Sequence, residues 1–464
     1  MRALLRDALQ RAGGDGFVEL RWHAKTFRSV SVQKGRLERS SVSRRAGVGV
    51  RVLLDGTWGF ASTGDASLAA VATALDRARA AARASAALRR ERVAPLPAAV
   101  LAVGEFHTPG VDDVLARTLD ERVSLALQAE ARVRAASARI RSASASYNEI
   151  LEEKAIITSD GADAEFRLVR PELYVGAVGE KDGQLTQVSE AVGVTGGWDC
   201  LFRSPADVLA DKAARLAVDL LDAPAPEGGR ATVIMAPSIV GLLVHEAIGH
   251  TVEADFVTSG SVARGKIGHQ VASELVTLCD SGASEYQTGA GGTIPVDDEG
   301  VLAQRTVVIR DGKLVGYLHN RETAARFGVA PTGNARAWEY ADQPLIRMRN
   351  TYIEPGDSTL DEMIAATKDG YLLDGPRNGQ ADATGEFMFG VTSARRIRDG
   401  RLAELVKGVS ITGIAFDVLK SVDMVSQEFR WDLGSGHCGK GQPAKVDAGG
   451  PYIRCQAMLG GEQG

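Results

Sequence analysis

The sequence has few cysteines, no excess of positive charge and no long apolar run. Only 4 of its 464 residues are cysteine, and none forms a Cys-x-x-Cys pair. A disulfide framework is therefore excluded, and we expect a reducing compartment, the cytoplasm. With 54 Lys+Arg against 59 Asp+Glu, the net charge is −5. The chain therefore lacks the excess of basic residues that is typical of nucleic-acid-binding proteins. The apolar runs are shorter than the ~20 residues of a membrane-spanning helix. We expect neither nucleic acid nor a membrane as a partner.

Aromatic residues are also scarce, at 5%, whereas glycine is abundant, with 52 residues. Part of this glycine lies in Asp-Gly pairs, which suit the positive φ angles of tight β-hairpin turns. The pairs are Asp55-Gly56, Asp160-Gly161, Asp182-Gly183, Asp311-Gly312 and Asp399-Gly400. Segments that alternate apolar with polar residues, as half-buried strands do, occur at 17–23, 48–54, 155–158, 173–178 and 306–310. Both halves of the chain are therefore predicted to contain antiparallel sheets.

Helical patterns lie between these strands. Residues 1–14 predict a short amphipathic helix and not a signal peptide, because they contain Asp7 and no cleavage site. An alanine-rich segment at 67–90 and a segment that opens with two aspartates, at 112–136, are predicted as long helices. Because strands and helices do not alternate in a regular βαβ rhythm, the predicted fold class is α+β.

The clearest domain boundary is the segment DAPAPEGGR at 222–230. Its prolines and glycines follow a predicted helix at 205–221 and precede a predicted strand at 231–235. We therefore predict two domains. An N-terminal α+β domain over 1–222 contains the long helices, and a mostly β domain covers 231–464.

One apolar segment of the C-terminal half, IVGLLVHEAIGHTVEADF, contains His245, Glu246 and His250. Burying such groups without partners is costly, so a metal site is one explanation. In the common H-E-x-x-H zinc-peptidase pattern the histidines are four apart and share a helix face. Here they are five apart, roughly 140° around a regular helix. Gly249 allows the helix to end, kink or form a π-type bulge there. A structural helix with two hydrogen-bonded core histidines is the alternative.

The chain resembles the TldD/PmbA family of metallopeptidases, and in particular its metal-bearing TldD-like branch, over most of its length. The matching stretches are AGVGVRVLLDGTWGFASTGD (46–65), HEAIGHTVEADF (245–256), GHQVASELVTLCD (268–280), TGNARAWEYADQPLIRMRNTYIEPGD (332–357), DATGEFMF (382–389) and CGKGQ (438–442). The resemblance implies one zinc ion per chain, held by His245, His250 and Cys438, with Glu246 as general base. After Cys438 the chain is shorter than the family pattern.

This donor set suits hydrolysis. A catalytic zinc takes three protein ligands, lowers the pKa of a bound water toward ~7 and polarises the scissile carbonyl. Glu246 follows His245 directly, so it can reach such a water, take its proton and deliver it to the leaving amine. Glu253 and Asp255 are alternative oxygen ligands, but we predict that they orient a histidine instead.

Further polar and aromatic residues are candidates for substrate binding. Tyr317, His319, Arg336 and Tyr340 follow the metal segment in the sequence, and an extended peptide needs a donor to its carbonyl. His437 adjoins Cys438 and is a candidate donor, although it points the other way if this segment is a strand. For each of these residues, packing within the fold is the alternative interpretation.

The leading hypothesis is a cytoplasmic zinc metallopeptidase that hydrolyses peptide bonds in unfolded or flexible polypeptides. The resemblance also implies a heterodimer with a related PmbA-like subunit that lacks the metal motif, with a homodimer as the alternative. On this interpretation the domain over 1–222 serves dimerisation or gating, and the domain over 231–464 is catalytic and contains the metal-bearing helix and Cys438. Two other function classes stay open. One is a non-catalytic binding or assembly subunit, and the other is a metal hydrolase of non-peptide amides.

Overall fold

A computed structural model describes residues 1–13, 16–89 and 91–461, and the fold is α+β with mostly antiparallel sheets. The last residues of the predicted helices at 1–14 and 67–90 lie outside the described residues, as do residues 462–464 of the predicted C-terminal domain. No helix within the described ranges is long and apolar enough to cross a membrane.

The N-terminal half is built on one seven-stranded sheet. Its strands are β1 (Phe17–Gln33), β2 (Arg36–Leu54), β3 (Thr57–Thr63), β4 (Val103–His107), β5 (Ile140–Thr158), β6 (Asp163–Lys181) and β7 (Gln184–Gly193). The order is β3-β2-β1-β5-β6-β4, and β7 also pairs with β6. Every pair is antiparallel except β4 with β6. The helices are α1 (Arg2–Arg11), α2 (Leu68–Ala86), α3 (Val111–Ala116), α4 (Leu119–Ala135), α5 (Trp198–Leu201) and α6 (Ala206–Asp219).

Asp-Gly turns join neighbouring strands in both halves of the chain. At four of the five predicted pairs both residues have positive φ, for example 51° at Asp55 and 68° at Gly56, as a type I′ hairpin turn requires. At the fifth pair only Gly161 has a positive φ, 116°. The predicted hairpin turns are therefore confirmed at four positions, and the link between β5 and β6 uses a different turn.

The single helix predicted over 112–136 is wrong, because the chain forms two helices there, α3 and α4. Arg117 is extended, with φ −65° and ψ 134°. Thr118 then starts α4 with a capping box, in which its side chain accepts from the backbone N–H of Glu121 while the Glu121 carboxylate accepts from the backbone N–H of Thr118. Such a reciprocal cap satisfies two free N–H groups and fixes a helix start.

The C-terminal half contains one six-stranded sheet, one seven-stranded sheet and two short two-stranded ribbons. Its strands are β8 (Gly229–Met235), β9 (Leu278–Ser281), β10 (Arg305–Arg310), β11 (Lys313–Leu314), β12 (Ala335–Arg336), β13 (Leu345–Ile346), β14 (Asn350–Ile353), β15 (Asp369–Ala381), β16 (Glu386–Arg398), β17 (Arg401–Val406), β18 (Val409–Ile414), β19 (Met424–Val425), β20 (Arg430–Trp431), β21 (His437–Gly439), β22 (Pro443–Lys445), β23 (Asp447–Gly450) and β24 (Ile453–Gly461).

One sheet has the order β11-β10-β9-β14-β23-β20, and the other has the order β15-β8-β24-β18-β16-β17, with β19 paired to β24. The helices are α7 (Pro237–Leu242), a π-helix (Leu243–Gly249), a 3₁₀-helix (His250–Val252), α8 (Ala254–Thr258), α9 (Arg321–Phe327), α10 (Leu360–Ala365) and α11 (Ala415–Lys420). In the apolar core, the consecutive helices between residues 237 and 258 pack against strands of both sheets, and Val244 and Ile248 are fully buried there. The metal-motif segment thus lies at the centre of the C-terminal half. The domain boundary at 222–230 stays a prediction.

The polar face of β1 is buried, which corrects the expectation of a half-buried strand at 17–23. Glu19, Arg21, His23 and Lys25 alternate along β1 and are each at most 5% exposed. The C-terminal half covers this face: Arg21 donates to the carbonyl of Asp342 at 2.6 Å. A period of two shows which residues share a face, but not what covers that face.

Candidate metal centre

The helical segment that follows β8 changes its winding at the motif. His245, Glu246 and Gly249 belong to the π-helix, and His250 begins the 3₁₀-helix. A π-helix closes i→i+5 hydrogen bonds, so it brings residues five apart to the same side. The ring centroids of His245 and His250 are accordingly 5.3 Å apart. Of the three local distortions that Gly249 allows, the structure has the π-type one.

Gly249 is also required by packing. A Cβ atom at this position would lie 1.9 Å from Sδ of Met348, which is fully buried. The glycine therefore leaves room for the Met348 side chain against the metal motif.

We expect Gly249→Ala to destabilise the protein by about 1–3 kcal/mol, the cost of overpacking a core. Alanine is the better helix former by about 1 kcal/mol, but the Met348 side chain that would have to move is fully buried, and its displacement disturbs the core around it. Urea unfolding of Gly249→Ala, Met348→Ala and the double variant checks this. Removal of the Met348 side chain should recover much of the loss, and strictly additive effects would contradict the clash.

Three potential ligand atoms meet beside this distorted turn. One atom each from His245, His250 and Cys438 lies within 4.8 Å of the other two. The Cys438 Sγ is 3.1 Å from Nε2 of His250. The cysteine is on β21, which pairs with β22 as a short ribbon. The fold thus brings together two residues of adjoining helical turns and a third from a hairpin 188 residues after His250.

The chemistry of this group fits a metal ion. His245 is 4% exposed, and neither of its ring nitrogens has a hydrogen-bond partner among the described residues. A core histidine held only for packing would leave both polar atoms unsatisfied, which is costly. Burial acts to raise the pKa of the Cys438 thiol, but His245 and His250 outweigh burial and lower it to about 4. The thiolate, which is the metal-binding form, is therefore favoured.

Glu253 lies where a residue that orients His250 would be expected. It is fully buried, and its Oε2 is 3.2 Å from Nδ1 of His250, the ring nitrogen on the side away from Cys438. Lys440 Nζ is 2.9 Å from the same Oε2 and 2.7 Å from Oδ2 of Asp255. Asp255 thus pairs with Lys440 and not with a histidine.

Lys440 and Arg347 are two residues of this site that the sequence analysis did not single out. Arg347 is fully buried and donates to the carbonyls of Cys438 and Gln442, at 2.5 and 2.6 Å. It therefore fixes the turn of the β21–β22 ribbon, and Lys440 ties the same turn to Glu253. The lone lysine between two glycines in CGKGQ is the available sequence signal; Arg347 has none that we can identify.

A cavity of about 250 Å³ opens on the His250 side of the cluster. Glu246, His250, Phe256 and Gly439 are among the residues that line it. The Glu246 side chain is about one-third exposed, and its Oε2 is 3.8 Å from Nε2 of His250. A carboxylate in this position can exchange protons with a molecule in the cavity.

Two of the predicted substrate-binding residues make internal contacts. Tyr317 donates its hydroxyl hydrogen to the carbonyl of Ala263 at 2.7 Å. His319 is buried, with Nδ1 3.1 Å from Oγ1 of Thr323. Neither lines the cavity beside the cluster, so their role in substrate binding stays a prediction.

The other three candidates also lie outside the lining of that cavity. Arg336 is buried and donates to the carbonyl of Met348 at 2.8 Å. The Tyr340 ring packs against the backbone of β2 at Gly47. His437 lies on the opposite side of β21 from Cys438, as a strand predicts, with its ring 5.8 Å from that of Trp338. A role in substrate binding stays a prediction for these residues too.

Sequence profiles of one family match the chain in order. They are PmbA/TldA metallopeptidase domain 1 over 18–82, the central domain over 112–221 and the C-terminal domain over 228–461.

A metalloprotease of Methanothermobacter thermautotrophicus is 34% identical, covering 96% of this chain and 95% of its own. A metalloprotease TldD homolog of Haemophilus influenzae is 32% identical, covering 96% and 92%. A zinc metalloprotease TldD homolog of Saccharolobus solfataricus is 32% identical over 66% of each chain. The crystal structure of TldE from Thermococcus kodakarensis has the same fold, with a TM-score of 0.80 at 18% identity, covering 99% of this chain and 100% of that one. The chain thus belongs to the PmbA/TldD family of metallopeptidases.

Proposed function

We propose that this protein is a zinc-dependent peptidase that hydrolyses peptide bonds in unfolded or flexible polypeptides. The observation that carries this proposal is the cluster of His245, His250 and Cys438 with Glu246 at the adjoining cavity. Two imidazoles and one thiolate form a donor set that suits catalytic zinc and leaves a coordination position open. A relative with the same family assignment is named a zinc metalloprotease.

Each residue has a distinct task in the proposed reaction. His245, His250 and Cys438 would hold one zinc ion, which supplies Lewis-acid activation of water and of the scissile carbonyl when bound. The Glu246 carboxylate accepts a proton from the attacking water and returns it to the leaving amine. Glu253 holds the imidazole of His250 in the orientation that points Nε2 toward Cys438.

The size of the cavity supports a flexible substrate. About 250 Å³ is enough for a side chain and the adjoining peptide group, but not for a folded surface. A polypeptide must therefore be locally extended to bring a peptide bond to Glu246. The proposed location is the cytoplasm, and the four cysteines, which are all free thiols, support it.

We also propose that the chain pairs with a related PmbA-like subunit, with a second copy of itself as the alternative partner. The likeness of the fold to that of a TldE supports this pairing, because a subunit of the same architecture is the kind of partner that we propose. The intact cluster supports a catalytic role over that of an assembly subunit.

Removal of the metal tests the proposed activity. We expect the purified protein, alone or with a copurified partner, to contain one equivalent of zinc and to cleave a disordered polypeptide. Exhaustive chelation should reduce cleavage to background, and added zinc should restore it, because the water and carbonyl lose their activation. Elemental analysis and a fluorescent casein assay measure both. Undiminished cleavage by fully metal-free protein would contradict the proposal.

A further inference from the structure

A second cavity lies where the first sheet meets the C-terminal half, which we call the junction cavity. Its polar lining consists of Glu152, Lys154, Arg170, Asp298, Arg336 and Lys445. These side chains come from β5 and β6 on one side, and from β12, β22 and the loop before β10 on the other. The junction cavity is separate from the metal cluster, since none of the three potential metal ligands lines it.

Positive charge exceeds negative charge around this cavity. Asp298 binds Lys154, with its two oxygens 2.8 and 2.9 Å from Nζ. Glu152 pairs with Arg170, and Lys445 pairs with Glu172 just outside the cavity. All of the carboxylates in this group therefore already have a cation.

Arg336 is the cation that remains. It is only 7% exposed, and among the described residues it forms no ion pair; its hydrogen bond goes to the carbonyl of Met348 at 2.8 Å. Burial, and then repulsion by Arg170, lower the pKa of its guanidinium to about 9, because attraction by Glu152 and Asp298 offsets only part of these effects. An unpaired buried charge is costly, so a counter-charge is expected in its surroundings.

Lys25 increases the same imbalance. Its Nζ is buried without a hydrogen-bond partner, 3.4 Å from Oε1 of Glu152. The other oxygen of Glu152, Oε2, already accepts from Arg170, and Oε1 is also 3.0 Å from Nε2 of His23. The Lys25 ammonium lies over the ring of Trp338, 3.1 Å from the centroid. Lys25 and the cations that line the junction cavity thus offer more donors than the carboxylates of the lining can accept.

The free space in the junction cavity is small. Its volume is only about 10 Å³, which is room for one water or one monatomic ion. Phosphate, sulfate and carboxylate groups are too large. A water molecule would satisfy donors but would leave the charge of Arg336 uncompensated.

We infer that the junction cavity binds a single chloride ion, held by Arg336 and the neighbouring cations of β5, β6 and β22. The ion joins the first sheet to the ribbon that carries the proposed third metal ligand, because Ala444 pairs with Cys438 and Lys445 pairs with His437. Chloride therefore stabilises the position of that ribbon. The inference does not depend on the proposed peptidase activity.

Thermal unfolding of the full-length protein tests the inference. At constant ionic strength, replacing gluconate with 200 mM chloride should raise the Tm by roughly 2 °C or more, since a ligand that binds only the folded state stabilises it. Bromide should replace chloride. A crystal grown with bromide should show an anomalous difference peak inside the junction cavity.

Variants locate the effect. Arg336→Met should lose the chloride-dependent shift while keeping at least the wild-type Tm in gluconate, because it removes the uncompensated charge. Arg326→Met, which replaces an exposed arginine of α9, should keep the full shift. Equal wild-type Tm values in chloride and gluconate would overturn the inference. So would a bromide crystal without a peak in the cavity, which also decides the question if Arg336→Met does not fold.

Discussion

Replacing Glu246 with glutamine is expected to reduce peptide hydrolysis by about 100- to 10,000-fold while bound zinc stays at the wild-type level. General acid–base catalysis by a positioned side chain contributes an acceleration of this order. Glutamine has nearly the same shape as glutamate, so the cavity and the three proposed ligands are preserved. It cannot accept and return a proton, and so turnover should fall far more than substrate affinity.

The measurement is kcat and KM for a quenched peptide, together with zinc content by elemental analysis. Glu274→Gln is the matched control, since it makes the same chemical change at an exposed position and should retain full activity. If Glu246→Gln loses less than tenfold in kcat with zinc still bound, Glu246 is not the general base. If zinc is lost as well, the residue supports the metal and its proposed role is wrong.

Replacing Cys438 with serine is expected to weaken zinc binding by more than the 10- to 100-fold that loss of an outer hydrogen-bond partner typically costs. Serine keeps the size of the side chain but offers a neutral hydroxyl in place of a thiolate, and the two histidines alone form a weaker site. The thiolate is favoured at this position, since His245 and His250 lower the pKa of Cys438 despite its burial.

Cadmium provides a direct readout of the cysteine. Wild-type protein loaded with cadmium should show the ultraviolet charge-transfer absorption of a metal–thiolate bond, and Cys438→Ser should lose it. Cys200→Ser, at a half-buried cysteine far from the cluster in sequence, should keep both the absorption and the zinc affinity. Unchanged zinc affinity in Cys438→Ser would exclude the cysteine as a ligand and favour an oxygen donor such as Glu253.

Much of the fold could be predicted because its signals are local. Asp-Gly turns and alternating residues locate hairpins, since both depend on neighbours in the sequence. The break between α3 and α4 has a local signal as well, Thr118 followed by Glu121 three residues later, which the broader helical pattern obscured. The burial of Arg21 and Lys25 could not be predicted, because the residues that cover them are about 300 positions away.

Part of the candidate metal centre could likewise be predicted from the sequence, and part could not. The H-E-x-x-x-H spacing and the glycine before the second histidine indicate a distorted helix, and the structure has a π-helix there. Glu253 lies near enough in sequence to be a candidate partner of His250, and it contacts that ring. Arg347 and Lys440 act on residues roughly 90 and 190 positions away. Those contacts exist only after the ribbon has docked, so no periodicity or spacing could indicate them.

The buried charged face of β1 also bears on the synthesis of the chain. All strands of this sheet lie within residues 17–193, so we expect the sheet to form before the segment that covers it has left the ribosome. Before this face of β1 is covered, water can hydrate the side chains of Glu19, Arg21, His23 and Lys25, which are buried in the complete fold. An apolar face exposed at the same stage would bind other nascent chains. We therefore expect the charged face of β1 to keep the partly synthesised chain from aggregating until the C-terminal half has been made and covers that face.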